Sequence, residues 1–133
     1  MRPQPLIAVH DVAASSRWYQ SLLGCESGHG GPEYEQLVCD GRMVLQLHHW
    51  DAHQHPHIGD PQSRPNGNGV LLWFQTDTFD AAVARATAMA AHILEGPKVN
   101  LNANHREIWL RDPDGYVLVL AGAYGDLGLP PKA

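Results

Sequence analysis

The chain has 133 residues, enough for one domain with a sizeable core and too few for two ordinary ones. Hydrophobic residues make up 44% and charged residues 17%, which excludes a disordered tail or a coiled coil. Net charge is −5 with only 9 Lys+Arg and no basic cluster, which excludes a protein that tracks nucleic-acid phosphates.

Residues 4–10 read as a strand, ending where Asp11 caps a helix by accepting backbone N–H bonds. Val12 to Leu23 carries Trp18, Tyr19, Leu22 and Leu23 at helical spacing, a stripe expected to pack in the core, and Gly24 is a natural stop. Three strands follow, Cys25–His29, Glu33–Cys39 and Arg42–Trp50, separated by turns at Gly28–Pro32 and Asp40-Gly41. Residues 51–68 have no periodicity and many Pro, Gly and Asn, so they read as a loop or linker. Val70–Thr76 is again a strand, and Thr76-Asp77 is placed to cap a helix over about Thr78–Ala91. That helix presents Phe79, Val83, Ala86, Ala90 and Ile93 on one stripe. His92–Glu95 with Val99 is expected as a short strand broken by Gly96-Pro97. His105–Arg111 is a strand, Asp112-Pro113-Asp114-Gly115 a tight turn and Tyr116–Ala121 the last strand, before a loosely held tail over Tyr124–Ala133.

The order is thus β-α-β-β-β twice, with the repeat in the elements rather than in the residues. Residues 1–133 are expected as a single domain, with module one at about 1–50, a linker at about 51–68, module two at about 69–123 and the tail. The fold class is α+β, two tandem β-α-β-β-β modules forming a concave half-barrel cup, each helix covering one sheet face. No apolar run reaches the roughly 20 residues that cross a bilayer, and the apolar stretch at Leu6–Val9 is too short for a signal peptide, so the expectation is a cytoplasmic protein with no membrane or nucleic-acid partner. Cys25 and Cys39 are the sole candidates for a disulfide and are expected instead as small core residues.

The segment Val9-His10-Asp11-Val12, with Arg17-Trp18-Tyr19 and Leu22-Leu23-Gly24, and the ending Arg106-Glu107-Ile108-Trp109-Leu110-Arg111-Asp112-Pro113-Asp114-Gly115-Tyr116 resemble the vicinal oxygen chelate superfamily. This group includes glyoxalase I, extradiol dioxygenases, and bleomycin-resistance and fosfomycin-resistance proteins. The likeness covers almost the whole chain, and its motifs are structural: a helix cap and stop, and a hairpin turn. It implies a homodimer. It also implies four metal-ligand positions, which fall here at Gln4, near Gln46, at Val70 and at Val119. Gln is an acceptable ligand at the first position in some relatives, but two amides and two valines cannot hold a divalent ion, since valine has no lone pair and an amide oxygen is a weak, uncharged donor. By this reading the family's metal site is absent.

The 9 histidines bear on the same question, because five of them fall between His48 and His57. Alternation along the fourth strand puts Gln46, His48 and Trp50 on one face and Leu45, Leu47 and His49 on the other. His48 has two open readings, a ligand-binding or acid–base role and a hydrogen-bonded wall residue. His10 and His105 are candidates for the rim, while His53, His55 and His57 read as solvated loop residues. Arg106, Glu107 and Arg111 carry no assigned chemistry, and no G-x-S-x-G, Walker or dinucleotide fingerprint is present.

The leading expectation is metal-independent binding of a small, partly aromatic or apolar compound, similar to the antibiotic-sequestering branch, with no cofactor. Gln4, Gln46 and His48 supply hydrogen bonds in this reading, and Trp50, Leu72, Phe74, Trp109 and Val119 supply apolar walls. The alternative is an enzyme of the lactoylglutathione-lyase or dioxygenase kind: a lyase, isomerase or dioxygenase acting on a vicinal-oxygen substrate. It would hold one divalent metal such as Zn, Ni, Fe or Mn on Gln4, Gln46 and His48.

Overall fold

The computed structural model describes residues 1–51 and 53–128. Its elements divide between two compact units, residues 1–64 and the chain from Pro65 onward. Each unit is an open four-stranded mixed sheet with one helix, so the α+β class and the repeated β-α-β-β-β order hold.

In the first unit the order in space is β1 (Leu6–Val9), β4 (Arg42–His49), β3 (Tyr34–Cys39) and β2 (Glu26–Ser27), with β1 parallel to β4 and the rest antiparallel. Helix α1 spans Val12–Leu23, as its end signals require. The Asp11 carboxylate accepts from Ala14 N at 3.0 Å, and Gly24 stops the helix at φ 67° with its N–H on Gln20 O. The helix buries Val12, Tyr19 and Leu22, which meet a sheet face carrying Ile7, Val9, Leu37, Leu45 and Leu47, all buried. Burying side chains of this size stabilises by about 1.5–3 kcal/mol each. Trp18 is half-buried, so Tyr19 and Leu22 carry that stripe.

Cys25 and Cys39 are paired as a disulfide, their Cα atoms 4.6 Å apart, which corrects the expectation of separate core thiols. The antiparallel register explains the meeting: Glu26 faces Val38, so the next pair outward is Cys25 and Cys39.

The second unit orders β5 (Leu72–Gln75), β8 (Val117–Ala121), β7 (His105–Arg111) and β6 (His92–Asn100), with β5 parallel to β8. Helix α2 spans Phe79–Ala88, shorter than expected, and its N-cap is Thr78 rather than Thr76-Asp77. Thr76 Oγ1 instead accepts from Thr78 N in the turn before the helix. The helix ends early because Ala90 takes a positive φ of 52°, so Ala90 and Ile93 leave the stripe and the buried face is Phe79, Ala82 and Ala86. That face is matched by Ile108, Leu110, Leu118 and Leu120, all buried.

β6 also differs from its expected form. It runs through Gly96-Pro97 as one strand, absorbing the glycine and proline as register shifts at Ile93/Glu95 and Glu95/Lys98. Gly96 lies at φ 84°, and a Cβ there would stand 2.7 Å from Glu107 O. In the last hairpin the Asp112 carboxylate accepts from Asp114 N and Tyr116 N, each at 2.9 Å. Of the tail, Gly125 N and Leu127 N donate to the carbonyls of Ala103 and Asn104, so this part is tied down, and residues 129–133 lie outside the described residues.

Candidate functional site

In each unit one sheet face is covered by the helix, and the other carries the side chains available for chemistry. On the helix-free face of the first unit, the pairings Gln36↔Gln46, Tyr34↔His48 and Leu6↔Gln46 gather Tyr34, Gln36, Gln46 and His48, with Leu45 and Leu47 buried behind them. The alternation read from the fourth strand therefore holds through Leu47 and His48, but not at His49, whose ring stacks on that of His48 with centroids 5.1 Å apart. Gln46 is committed at both ends of its amide: Oε1 accepts from the Tyr34 hydroxyl, and Nε2 donates to the Gln4 backbone carbonyl at 2.8 Å. Gln4 itself is exposed, and Trp50 is half-buried beside Gly59. Tyr34 and Gln36 are the members of this group that the sequence reading missed.

A side-chain cluster closes the end of β4. One ring nitrogen each of His48 and His49 and a carboxylate oxygen of Asp51 all lie within 4.8 Å of one another. His55, expected as a solvated loop residue, joins them: its Nδ1 donates to the Asp51 carboxylate at 2.7 Å, and its ring meets that of His48 edge-on at 5.0 Å. The spacing Asp51 to His55, one turn apart, is the signal that was present in the sequence. His53 and His57 are exposed.

Behind the same sheet, facing α1, Glu35 is buried as a carboxylate. It accepts from Ser16 Oγ, Ser27 Oγ, and the backbone N–H groups of His29, Gly30 and Gln36. Burial alone pushes its pKa up, but the combined hydrogen bonds from Ser27, Gly30, Ser16 and Gln36 outweigh it and hold the carboxyl at about 2. Glu35 is a structural anchor for the turn before β3.

In the second unit the register decides which aromatic residues share a face. Val119 pairs with Trp109 on one side and Trp73 on the other, so these three stand together, while Leu72 pairs with Leu118 and Phe74 with Leu120 on the helix-covered side. Arg106 confirms which side is which, since it has the parity of Ile108 and its guanidinium lies 4.7 Å from the Phe79 ring centroid of α2. The expected wall of Leu72, Phe74, Trp109 and Val119 is thus divided: Trp109 and Val119 stay on the helix-free face, and Trp73 takes the place given to Leu72 and Phe74. Periodicity could not find Trp73, because Leu71-Leu72-Trp73-Phe74 is apolar at every position.

Trp73 and Trp109 meet edge to face with centroids 6.5 Å apart, and Trp73 remains 47% exposed. Lys98 Nζ sits 6.0 Å from the Trp109 centroid. Deeper on this face, buried Glu107 accepts from His105 Nε2 and Asn100 Nδ2, each at 3.1 Å. Among the described residues, His105 Nδ1 and Trp109 Nε1 are buried without a hydrogen-bond partner. At the other end of the face, Arg111 and Val117 join the loop of Pro65–Leu71 around a cavity of about 410 Å³.

These placements decide the fit of a family-type metal. Val119 is fully buried with no donor atom, Val70 is 56% exposed with none, and the Gln46 amide is engaged by Tyr34 and Gln4. The four positions do not suit a divalent ion.

Solved structures similar to this one share its fold. A glyoxalase/bleomycin resistance protein/dioxygenase family enzyme from Burkholderia phytofirmans PsJN superposes with a TM-score of 0.72 at 20% identity, over 90% of this chain and 96% of that one. A structure from the mobile metagenome of V. Pseudocholerae gives 0.67 at 21% identity, over 92% and 93%. The genomically encoded fosfomycin resistance protein of Listeria monocytogenes, complexed with Mn(II) and sulfate ion, gives 0.65 at 17% identity, over 92% and 90%. No curated protein matches the chain. The family model of the Glyoxalase/Bleomycin resistance protein/Dioxygenase superfamily matches residues 3–120, and the chain belongs to that superfamily.

Proposed function

We propose that the chain binds a small, partly aromatic or apolar molecule on the helix-free face of β5–β8 and holds it without breaking a bond. One observation carries this reading: an exposed Trp73 set edge-on to Trp109 above buried Val119, with two unpartnered polar atoms, Trp109 Nε1 and His105 Nδ1, on the same face. The Trp73 and Trp109 rings offer stacking area, while Trp109 Nε1 and His105 Nδ1 are buried and meet a ligand only if a neighbouring side chain moves aside. At the other end of the same face, apart from the tryptophans, the cavity of about 410 Å³ lined by Pro65–Leu71, Arg111, Gly115 and Val117 is also in the range of small-molecule sites. In the first unit, Gln46 is already spent on its neighbours, so the polar contacts move from Gln4 and Gln46 to the second unit.

Sequestration of a toxic compound is the corresponding cellular role. The same reading makes the protein a cytoplasmic homodimer. Edge strand β6 supports the dimer, since Ile93, Leu94 and Val99 on it, and Leu101 just beyond, are exposed.

A thermal-shift screen of planar aromatic compounds tests the binding. A ligand at a hundredfold excess over its Kd stabilises by about 2.7 kcal/mol, and this shift should vanish in Trp73→Ala and Trp109→Ala while the unliganded proteins remain folded. A ligand whose shift survives both substitutions would place binding elsewhere and refute the proposal.

A further inference from the structure

From the cluster at the end of β4 we infer that the chain holds one divalent transition-metal ion on His48, His49 and Asp51, with His55 orienting the carboxylate. This site is separate from the four family positions. It is also independent of the proposed function, which rests on β5, β7 and β8.

The hydrogen bonds prepare the two imidazoles for coordination. His48 Nδ1 donates to His49 O at 2.8 Å and His49 Nδ1 donates to Glu33 O at 3.3 Å, which fixes both tautomers with Nε2 carrying the lone pair. A ring held at one nitrogen by a backbone carbonyl is how metal-binding histidines are oriented. His48 Nε2 already lies 3.9 Å from Asp51 Oδ2. Ligand atoms around a tetrahedral zinc stand about 3.4 Å apart, so a movement of about half an ångström brings this pair onto one ion. Asp51 is held in place by His55 Nδ1 at 2.7 Å, the outer partner that a ligating carboxylate needs.

The His48 and Asp51 side chains keep 17% and 10% of their surface exposed, so an ion can enter a site that is otherwise largely desolvated. Two imidazoles and one carboxylate are the donor set of borderline ions such as Zn²⁺ rather than of Mg²⁺ or Ca²⁺, which prefer all-oxygen shells. Three protein ligands leave a coordination position open to water or an added donor.

Isothermal titration of the untagged protein with zinc chloride is the test. The expected result is one equivalent per chain with a Kd of about 1 μM or tighter. Affinity should fall at least about tenfold in His48→Ala, in Asp51→Ala and in His55→Ala, while His53→Ala and His57→Ala bind as the parent does. Loading the unaltered chain with cobalt(II) gives a second readout that needs no variant: an intense visible d–d band of a low-coordinate nitrogen/oxygen site, without a thiolate charge-transfer band. Three outcomes would overturn the inference. They are no stoichiometric binding, an affinity indifferent to His48 and Asp51, and an equal loss in the His53 and His57 variants, which is adventitious chelation by a histidine-rich loop.

Discussion

Glu35 shows what a single buried charge does in this chain. Its folded pKa of about 2 lies below the ordinary 4.5, so its ionised form stabilises the fold above about pH 4.5, and that contribution is lost as pH falls toward 2. A depression of this size corresponds to an upper bound of about 3 kcal/mol. Glu35→Gln keeps the shape but removes the charge. Urea unfolding at pH 7 should find it about 2–3 kcal/mol less stable than the parent, with the gap at pH 3 less than half as large. A gap of the same size at both pH values would mean that Glu35 acts through packing alone. The sequence carried a faint sign of this residue, an acid at the inward parity of β3, between Tyr34 and Gln36 on the other face. What it could not carry is the set of five donors, because Ser16 comes from α1, Ser27 from β2, Gln36 from β3 itself, and His29 and Gly30 from the turn between the strands.

At the scale of elements, legibility followed the locality of the signal. α1 was readable to the residue because Asp11 and Gly24 act on adjacent backbone groups. β4 was readable because Leu45-Gln46-Leu47-His48 alternates cleanly. β5 was not: the run Leu71-Leu72-Trp73-Phe74 is apolar at every position, and only the pairing of β5 with β8 shows that Trp73 shares a face with Trp109. β6 was legible only in part, as a short strand broken at Gly96-Pro97, since bulges repair the register there and hydrogen bonding to β7 overrides local propensity. Gly96 is the weak point of that repair. Gly96→Ala forces a Cβ onto Glu107 O at a positive φ, and thermal or urea unfolding should show a loss of about 2–3 kcal/mol. A neutral substitution would show that β6 has freedom to move off β7.

For the whole molecule, the two units use one plan differently. The helix-free face of the first carries polar side chains, Tyr34, Gln36, Gln46 and His48, whereas that of the second carries Trp73, Trp109 and Val119 over a buried His105–Glu107 pair. Assembly belongs to this scale too. Sedimentation equilibrium should give twice the 14.6 kDa chain mass, and Val99→Lys with Leu101→Glu on or beside β6 should return the monomer. A parent that sediments as a monomer would leave β6 without that role. Binding without chemistry on the tryptophan face is read out by a proton–nitrogen NMR titration that follows the indole N–H signals together with the spectrum of an aromatic ligand found by the thermal-shift screen. The expected result is a saturable shift of the Trp73 and Trp109 indole signals, larger than that of Trp18, with the ligand's own resonances recovered unchanged. New ligand resonances that grow with time, or indole signals of Trp73 and Trp109 that do not move, would contradict it.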